Sequence, residues 1–316
     1  MKRRCTIIFI LTALAGAALF LTACTPRSAG AEGEGLKVTV TVFPSYDFIR
    51  QIAGDKVSLT MLLPPGAESH SFEPTPRDII TLQNSDIFIY VGGESETWVD
   101  RILDTLDTSK IRIISLMDIV EVVEEEIVEG MEEEEEEEEG PAYDEHVWTS
   151  PEKAMEIVRV FTGVLGEADP DNRDFYQSRS LAYLEELEEV DAAFRKAVEE
   201  GRRKTLVFGD RFPFRYFADT YGLSYYAAFP GCSTETECSA GTLAFLIDKV
   251  KAEEIPVVFH IELSNEGIVN ALAEATGAKK RLLHAAHNVS KRDFDSGVTY
   301  LEIMRGNVVN LAEALL

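Results

Sequence analysis

The chain has 316 residues, 56 Asp and Glu against 30 Lys and Arg, and a formal net charge of −26. That balance excludes a nucleic-acid partner, which needs a basic face, and a polybasic membrane-surface protein. With 45% hydrophobic and 9% aromatic residues the chain can build a core and is not disordered overall, and its length suggests about two domains.

Lys2, Arg3 and Arg4 precede an apolar stretch of 16 residues, Thr6 to Leu21, which ends in Thr22-Ala23-Cys24. Charge, a short apolar core and small residues before a cut site describe an export signal over residues 1–23. A membrane-spanning anchor needs about 20 apolar residues, so the signal reading is preferred. Leu21-Thr22-Ala23-Cys24 resembles the lipobox of bacterial lipoproteins, which implies cleavage before Cys24 and lipidation of its thiol. Residues 24–35, rich in Gly, Ala, Ser and Glu, read as a tether. Loss of residues 1–23 removes three positive charges and takes the net charge to −29.

Leu36 to Phe43 alternates and is β-branched, which predicts a strand. A helix follows from Tyr46 to Ala53, then a strand from Val57 to Leu63 ended by Pro64-Pro65-Gly66. Thr75-Pro76 opens a helix toward Asn84. Ile87 to Val91 is a buried strand, Trp98 to Leu106 a helix, and Ile111 to Ser115 a strand. Strands alternating with helices imply a parallel sheet with crossovers. This first lobe spans 36–168.

Between Asp118 and Glu145 lie 16 acidic residues and no Lys or Arg, with an unbroken run from Glu132 to Glu139. The Glu run reads as a solvated, disordered loop; the sharper alternative is a weak collector of cations, since carboxylates are hard oxygen ligands. Pro151 to Leu165 is a helix. A longer helical pattern covers 169–202, in which Tyr176, Ser180, Tyr183, Leu187, Val190, Phe194 and Ala197 recur at spacings of 4 and 3 and form a packing stripe. The α/β alternation then restarts over 203–316. Strands are predicted at 205–208, 225–229, 257–261 and 281–283, and helices at 214–221, 241–253, 268–276 and 298–315. The fold class is α/β, with two lobes joined by one long helix.

In the exported chain only Cys232 and Cys238 remain beside Cys24. Six positions apart in a polar loop outside the cytoplasm, they predict a disulfide. A thiolate metal pair would want further N or S ligands nearby.

The five histidines are His70, His146, His260, His284 and His287. His70 lies in a proline-rich loop after a strand, where open α/β sheets bind ligands. His146 follows the acidic stretch directly, and His284 and His287 follow the last strand. Singly, each is more often a hydrogen-bonded structural histidine. Together, at corresponding strand ends of two lobes, they suggest one cleft site for zinc or a similar divalent ion. His260 and Glu262 share a strand face and read as core residues or as partners that orient the ligands, with ligation by His260 the lesser alternative.

The order of Pro64-Pro-Gly-Ala with His70, Asp144-Glu-His-Val-Trp-Thr-Ser-Pro, the long helix, Tyr216-Phe-Ala with Tyr221-Gly-Leu, Glu237-Cys-Ser, Thr276-Gly-Ala-Lys and Tyr300 to Asn307 resembles the substrate-binding lipoproteins of bacterial ABC importers for zinc and manganese. The resemblance covers nearly the whole exported chain. It implies two Rossmann-like lobes bridged by a rigid helix, metal held in the interlobe cleft, a lipid anchor and an ABC permease as partner. His70 and His146 match the two first-lobe ligand positions. The third, usually His or Glu after the first strand of the second lobe, falls on Asp210 or Arg211; Asp210 is favoured because arginine cannot ligate a cation, the structural alternative being its pairing with a neighbouring arginine. His284 and His287 occupy the two candidate positions of the last ligand. The implied function is a monomeric, extracytoplasmic, membrane-anchored receptor that captures zinc, or alternatively manganese. Two rivals are a zinc-dependent hydrolase with Glu262 or Glu73 as general base, against which no His-Glu-x-x-His pair is present, and an adhesin on the same fold.

Overall fold

A computed structural model describes residues 35–68, 72–131, 142–233, 235 and 237–316. The expected signal, Cys24, most of the tether, His70 and the Glu132 to Glu139 run lie outside the described residues.

The first half builds a parallel sheet in the order β2-β1-β3-β4 from β1 (Leu36–Val40), β2 (Val57–Met61), β3 (Ile87–Tyr90) and β4 (Arg112–Ser115). Its crossovers are α1 (Phe43–Ala53), α2 (Pro76–Gln83) and α3 (Thr97–Leu103). The local signals act as chemistry requires. Thr75 and Asp78 cap α2 reciprocally with Pro76 in the first turn, where a missing N–H costs no hydrogen bond. α1 starts at Phe43, three residues earlier than the sequence suggests, because Pro44 is equally at home in a first turn.

The chain continues through α4 (Pro151–Ala168) and α5 (Arg173–Glu200). A second parallel sheet follows in the order β6-β5-β7-β8, from β5 (Thr205–Phe212), β6 (Ser224–Pro230), β7 (Val257–His260) and β8 (Lys279–Leu282). Its helices are α6 (Arg215–Tyr221), α7 (Ala240–Ala252), α8 (Gly267–Thr276), α9 (Lys291–Ser296) and α10 (Tyr300–Leu315). α9 was not predicted. It is a short turn capped by the Ser290 hydroxyl on the Asp293 amide and closed by Gly297 at φ 79°, a left-handed position that suits glycine.

α5 is the linking helix. Its 28 residues span about 42 Å at 1.5 Å per residue. A single-turn 3-10 helix, Pro170–Asn172, precedes it, so the regular part is shorter than the sequence pattern. Tyr176, Ser180, Tyr183, Leu187, Val190, Phe194 and Ala197 are all buried, as the stripe required. One continuous core holds Val40 and Ile89 of the first sheet, Leu187 and Phe194 of α5, and Phe208 and Leu283 of the second half. Asp47 of α1 reinforces the join: buried, it accepts the Tyr300 amide of α10 at 2.7 Å, while Arg50 donates to Val298 O at 2.7 Å. Among the described residues no helix is long and apolar enough to cross a membrane.

Glu96 closes the end of β3. Its Oε2 accepts the amides of Val91 at 2.6 Å and Gly92 at 3.1 Å. Burial, with the like charge of Glu145 adding to it, pushes its carboxyl from an ordinary 4.5 to about 7. The folded state therefore holds this proton more tightly than the unfolded chain. Its contribution is fully present below pH 4.5 and is lost as pH rises through about 7. Glu96→Gln is expected to remove about 3 kcal/mol of that pH dependence. Urea unfolding of metal-free protein at pH 5 and pH 8 reads it; parallel losses for both proteins would refute it.

Candidate metal site

The loops at the C-terminal ends of both sheets meet at one small cavity of about 30 Å³, lined by residues including Glu68, His146, Arg211, Glu262, His287 and Asn288. That volume suits an ion or a single water.

His146 comes from the 3-10 entry to α4. Asp144 Oδ1 accepts the His146 amide at 2.7 Å and lies 3.1 Å from Nδ1. Both residues are buried. With Nδ1–H toward Asp144, Nε2 is the ring nitrogen that carries the lone pair, and a carboxylate behind an imidazole orients it and raises its basicity. Burial lowers the His146 pKa, but Asp144, Glu145 and Glu125 outweigh it and raise it overall.

His287 arrives from the loop after β8. Its ring centroid is 5.2 Å from that of His146, at 82°. Trp148 packs edge-on against His287 at 5.0 Å, and its Nε1 donates to Ala285 O at 2.8 Å. The loop is shaped by Glu262, whose Oε2 accepts the Ala285 amide at 2.7 Å and whose Oε1 accepts the His287 amide at 2.9 Å. His284 meets the same carboxylate, with Nδ1 3.3 Å from Oε2 and accepting the Ala286 amide at 2.9 Å. It is not among the cavity-lining residues. The structure thus brings His146 and His287 together at the cavity and places His284 beside Glu262, outside the cavity lining.

β7 ends at His260, so Glu262 lies beyond the strand whose face it was expected to share. Glu262 reaches the cavity; His260 does not, its Nδ1 lying 3.0 Å from Ile261 O. Asp210 and Arg211 lie in the last part of an extended β5, whose register is irregular between Phe208 and Arg211. Asp210 is turned to the end of β7, accepting the Arg211 amide at 2.9 Å and the Ile261 amide at 3.3 Å. Arg211 is the one that lines the cavity. Among the described residues no group of three or more His, Cys, Asp and Glu is arranged to hold a metal ion; His70 lies outside them.

The Glu132 to Glu139 run, read as a solvated loop, lies outside the described residues; the acidic flanks beside it are tied to the rest of the chain. Glu124 bridges Tyr143 as an antiparallel pair, and the flank crosses to the second half of the molecule. Tyr216 OH accepts the Val123 amide at 3.3 Å and donates to Asp144 O at 2.7 Å. Glu125 accepts the Cys232 amide at 3.0 Å. Glu126 accepts Tyr225 OH at 3.2 Å and Glu129 pairs with Lys249 at 3.2 Å. Gly93, at φ 84°, passes beneath Glu145, and a Cβ there would collide with that carboxylate.

The expected disulfide is not seen: Cys232 and Cys238 are not joined. Cys232 faces Glu145, Asp144 and Glu125. Burial first, and those charges second, push its thiol well above the ordinary value, which disfavours the reactive thiolate. Cys238 packs instead on the apolar cluster of Val207, Leu246 and Val258.

Sequence reasoning weighed Arg211 and set it aside for Asp210; it missed Trp148 as the aromatic beside His287, and Glu68 and Asn288 as cavity-lining residues. Trp148 was legible as an aromatic two positions from a candidate ligand; nothing local marks the other two.

The family profile described as zinc-uptake complex component A, periplasmic (ZnuA), matches residues 38–314. The chain belongs to this family. It is 32% identical to the high-affinity zinc uptake system protein ZnuA of Bacillus subtilis (strain 168) over 311 residues, 97% of each chain. It is 31% identical to the zinc-binding lipoprotein AdcA of Streptococcus pneumoniae (strain ATCC BAA-255 / R6) over 297 residues, 94% of this chain and 58% of that one, so it spans little more than half of AdcA. The crystal structure of the Zn(II)-bound ZnuA-like domain of S. pneumoniae AdcA superposes with a TM-score of 0.73 at 29% identity, covering 89% of this chain and 99% of that one.

Proposed function

We propose that this protein captures zinc outside the cytoplasmic membrane and delivers it to an ABC permease. The observation that carries the reading is the meeting of His146 and His287 from opposite halves, 5.2 Å between ring centroids, with Asp144 behind one and Glu262 under the loop of the other. His70 is assigned as the further imidazole ligand on the sequence resemblance, and Asp210 and His284 as groups that support β7 and the 284–287 loop. Neutral imidazoles favour zinc over manganese in the usual first-row order, and the named relatives are zinc proteins.

The site is assigned to binding rather than turnover. Glu262, the candidate general base, commits both carboxylate oxygens to backbone amides. α5 packs into the core of both halves, so release proceeds by loop shifts and not by wide hinge closure. Cys24 is assigned as the lipid attachment point, which keeps the receptor beside its permease; two acyl chains suffice for stable anchoring.

Isothermal titration of metal-stripped protein tests the reading. One tight zinc site is expected, with manganese bound more weakly. Absence of tight zinc binding, or zinc-dependent hydrolytic turnover, would overturn it.

A further inference from the structure

The cavity mouth carries an ion pair between the two halves. Arg211 Nη2 lies 3.1 Å from Glu68 Oε2 and Nη1 3.4 Å from Oε1, so the fork meets the carboxylate at two points. Nη1 also donates to Ser233 O at 3.0 Å. The Arg211 side chain is 15% exposed and that of Glu68 43%. Isolated surface pairs contribute little. A planar, two-point contact whose arginine is pinned by a third acceptor is the stronger kind.

The segment that carries Glu68 is gripped from its other side as well. Asn288, next to His287, donates through Nδ2 to Pro64 O at 2.8 Å and Ala67 O at 2.9 Å. Segment 64–68 is therefore held between two groups of the second half, Arg211 and Asn288. Glu68, Arg211 and Asn288 all line the cavity that His146 and His287 line.

We propose that the Arg211–Glu68 pair is a latch across the cleft mouth that sets how fast bound metal leaves. Arg211 is a positioning residue and not a ligand, since guanidinium has no lone pair to give. A guanidinium beside a divalent cation repels it unless neutralised, and Glu68 supplies that neutralisation. Because the pair joins opposite halves, loop motion that frees the ion has to part it. This rests on the zinc-capture reading.

Zinc release into excess chelator, followed by stopped flow, is the test. Glu68→Gln, which removes the carboxylate that the guanidinium meets, is expected to speed release about tenfold, and Arg211→Gln by a smaller factor. The double variant is expected to be no faster than Glu68→Gln, and the exchanged pair, Glu68→Arg with Arg211→Glu, to recover most of the loss. Raising salt from about 0.05 M to about 1 M is expected to speed release in the wild type and not in the double variant, a readout that survives if a single variant folds poorly. Unchanged release in Glu68→Gln, or multiplicative effects in the double variant, would overturn the latch. Hydrogen exchange of the 62–68 amides in metal-free protein separates the two ideas: faster exchange in either single variant shows the latch whether or not zinc binds, and unchanged exchange rules it out.

Discussion

His146→Ala and His287→Ala are each expected to weaken zinc binding by more than ~100-fold, whereas His284→Ala is expected to cost less than ~10-fold. The scale follows from ligation: loss of a partner that merely orients a ligand costs about 10–100-fold, and loss of the ligand itself exceeds it. His146 meets Asp144 through Nδ1, and His287 faces it across the cavity with its amide fixed by Glu262. His284 has Nδ1 already engaged by the Ala286 amide. Competition against a zinc-chelating dye measures all three. Equal losses for His284→Ala and His287→Ala would show that the last loop supplies both rings. Asp144→Asn completes the set with an intermediate loss of about 10–100-fold, because the ring stays and its orienting charge goes. Each variant is compared at matched thermal stability, since His146 is buried.

Much of the fold was legible because its signals are local. Alternating β-branched runs became β1 and β2, and the spacing of Tyr176, Tyr183, Leu187 and Phe194 became the buried face of α5. The site was legible only to the level of segments. Asp210 and Arg211 could not be sorted, because neighbours on a strand point to opposite faces and the irregularity after Phe208 shifts which face is which. The sequence favoured Asp210 on ligand chemistry; the backbone turns Asp210 to the Ile261 amide and presents Arg211. His284 and His287 differ by the path of a four-residue loop, and that path is set by Glu262, more than 20 positions away. The contacts of the acidic flank were out of reach for the same reason: Lys249 and the Cys232 amide, which give Glu129 and Glu125 their partners, lie more than 100 residues away in sequence.

Glu262→Ala is expected to damage fold and site together. The carboxylate is 8% exposed and satisfies two backbone amides of one loop. Each buried donor left without an acceptor costs about 1–3 kcal/mol, so the metal-free protein is expected to lose about 2–4 kcal/mol, the lower part of the possible range because the cavity lets water reach the orphaned amides. Glu262→Gln keeps one carbonyl oxygen and is expected to lose about half as much. Urea unfolding of metal-free protein reads this part. The second part is functional: with Ala286 at φ 60°, the loop is held in a conformation that non-glycine residues rarely adopt, and without Glu262 it relaxes and carries His287 away. Zinc affinity is then expected to fall about 10–100-fold, as for other partners that orient a ligand, and more than for His284→Ala. A variant that lost stability while keeping wild-type affinity would show that the loop holds His287 without Glu262. One that lost affinity with its stability intact would place Glu262 on the metal itself.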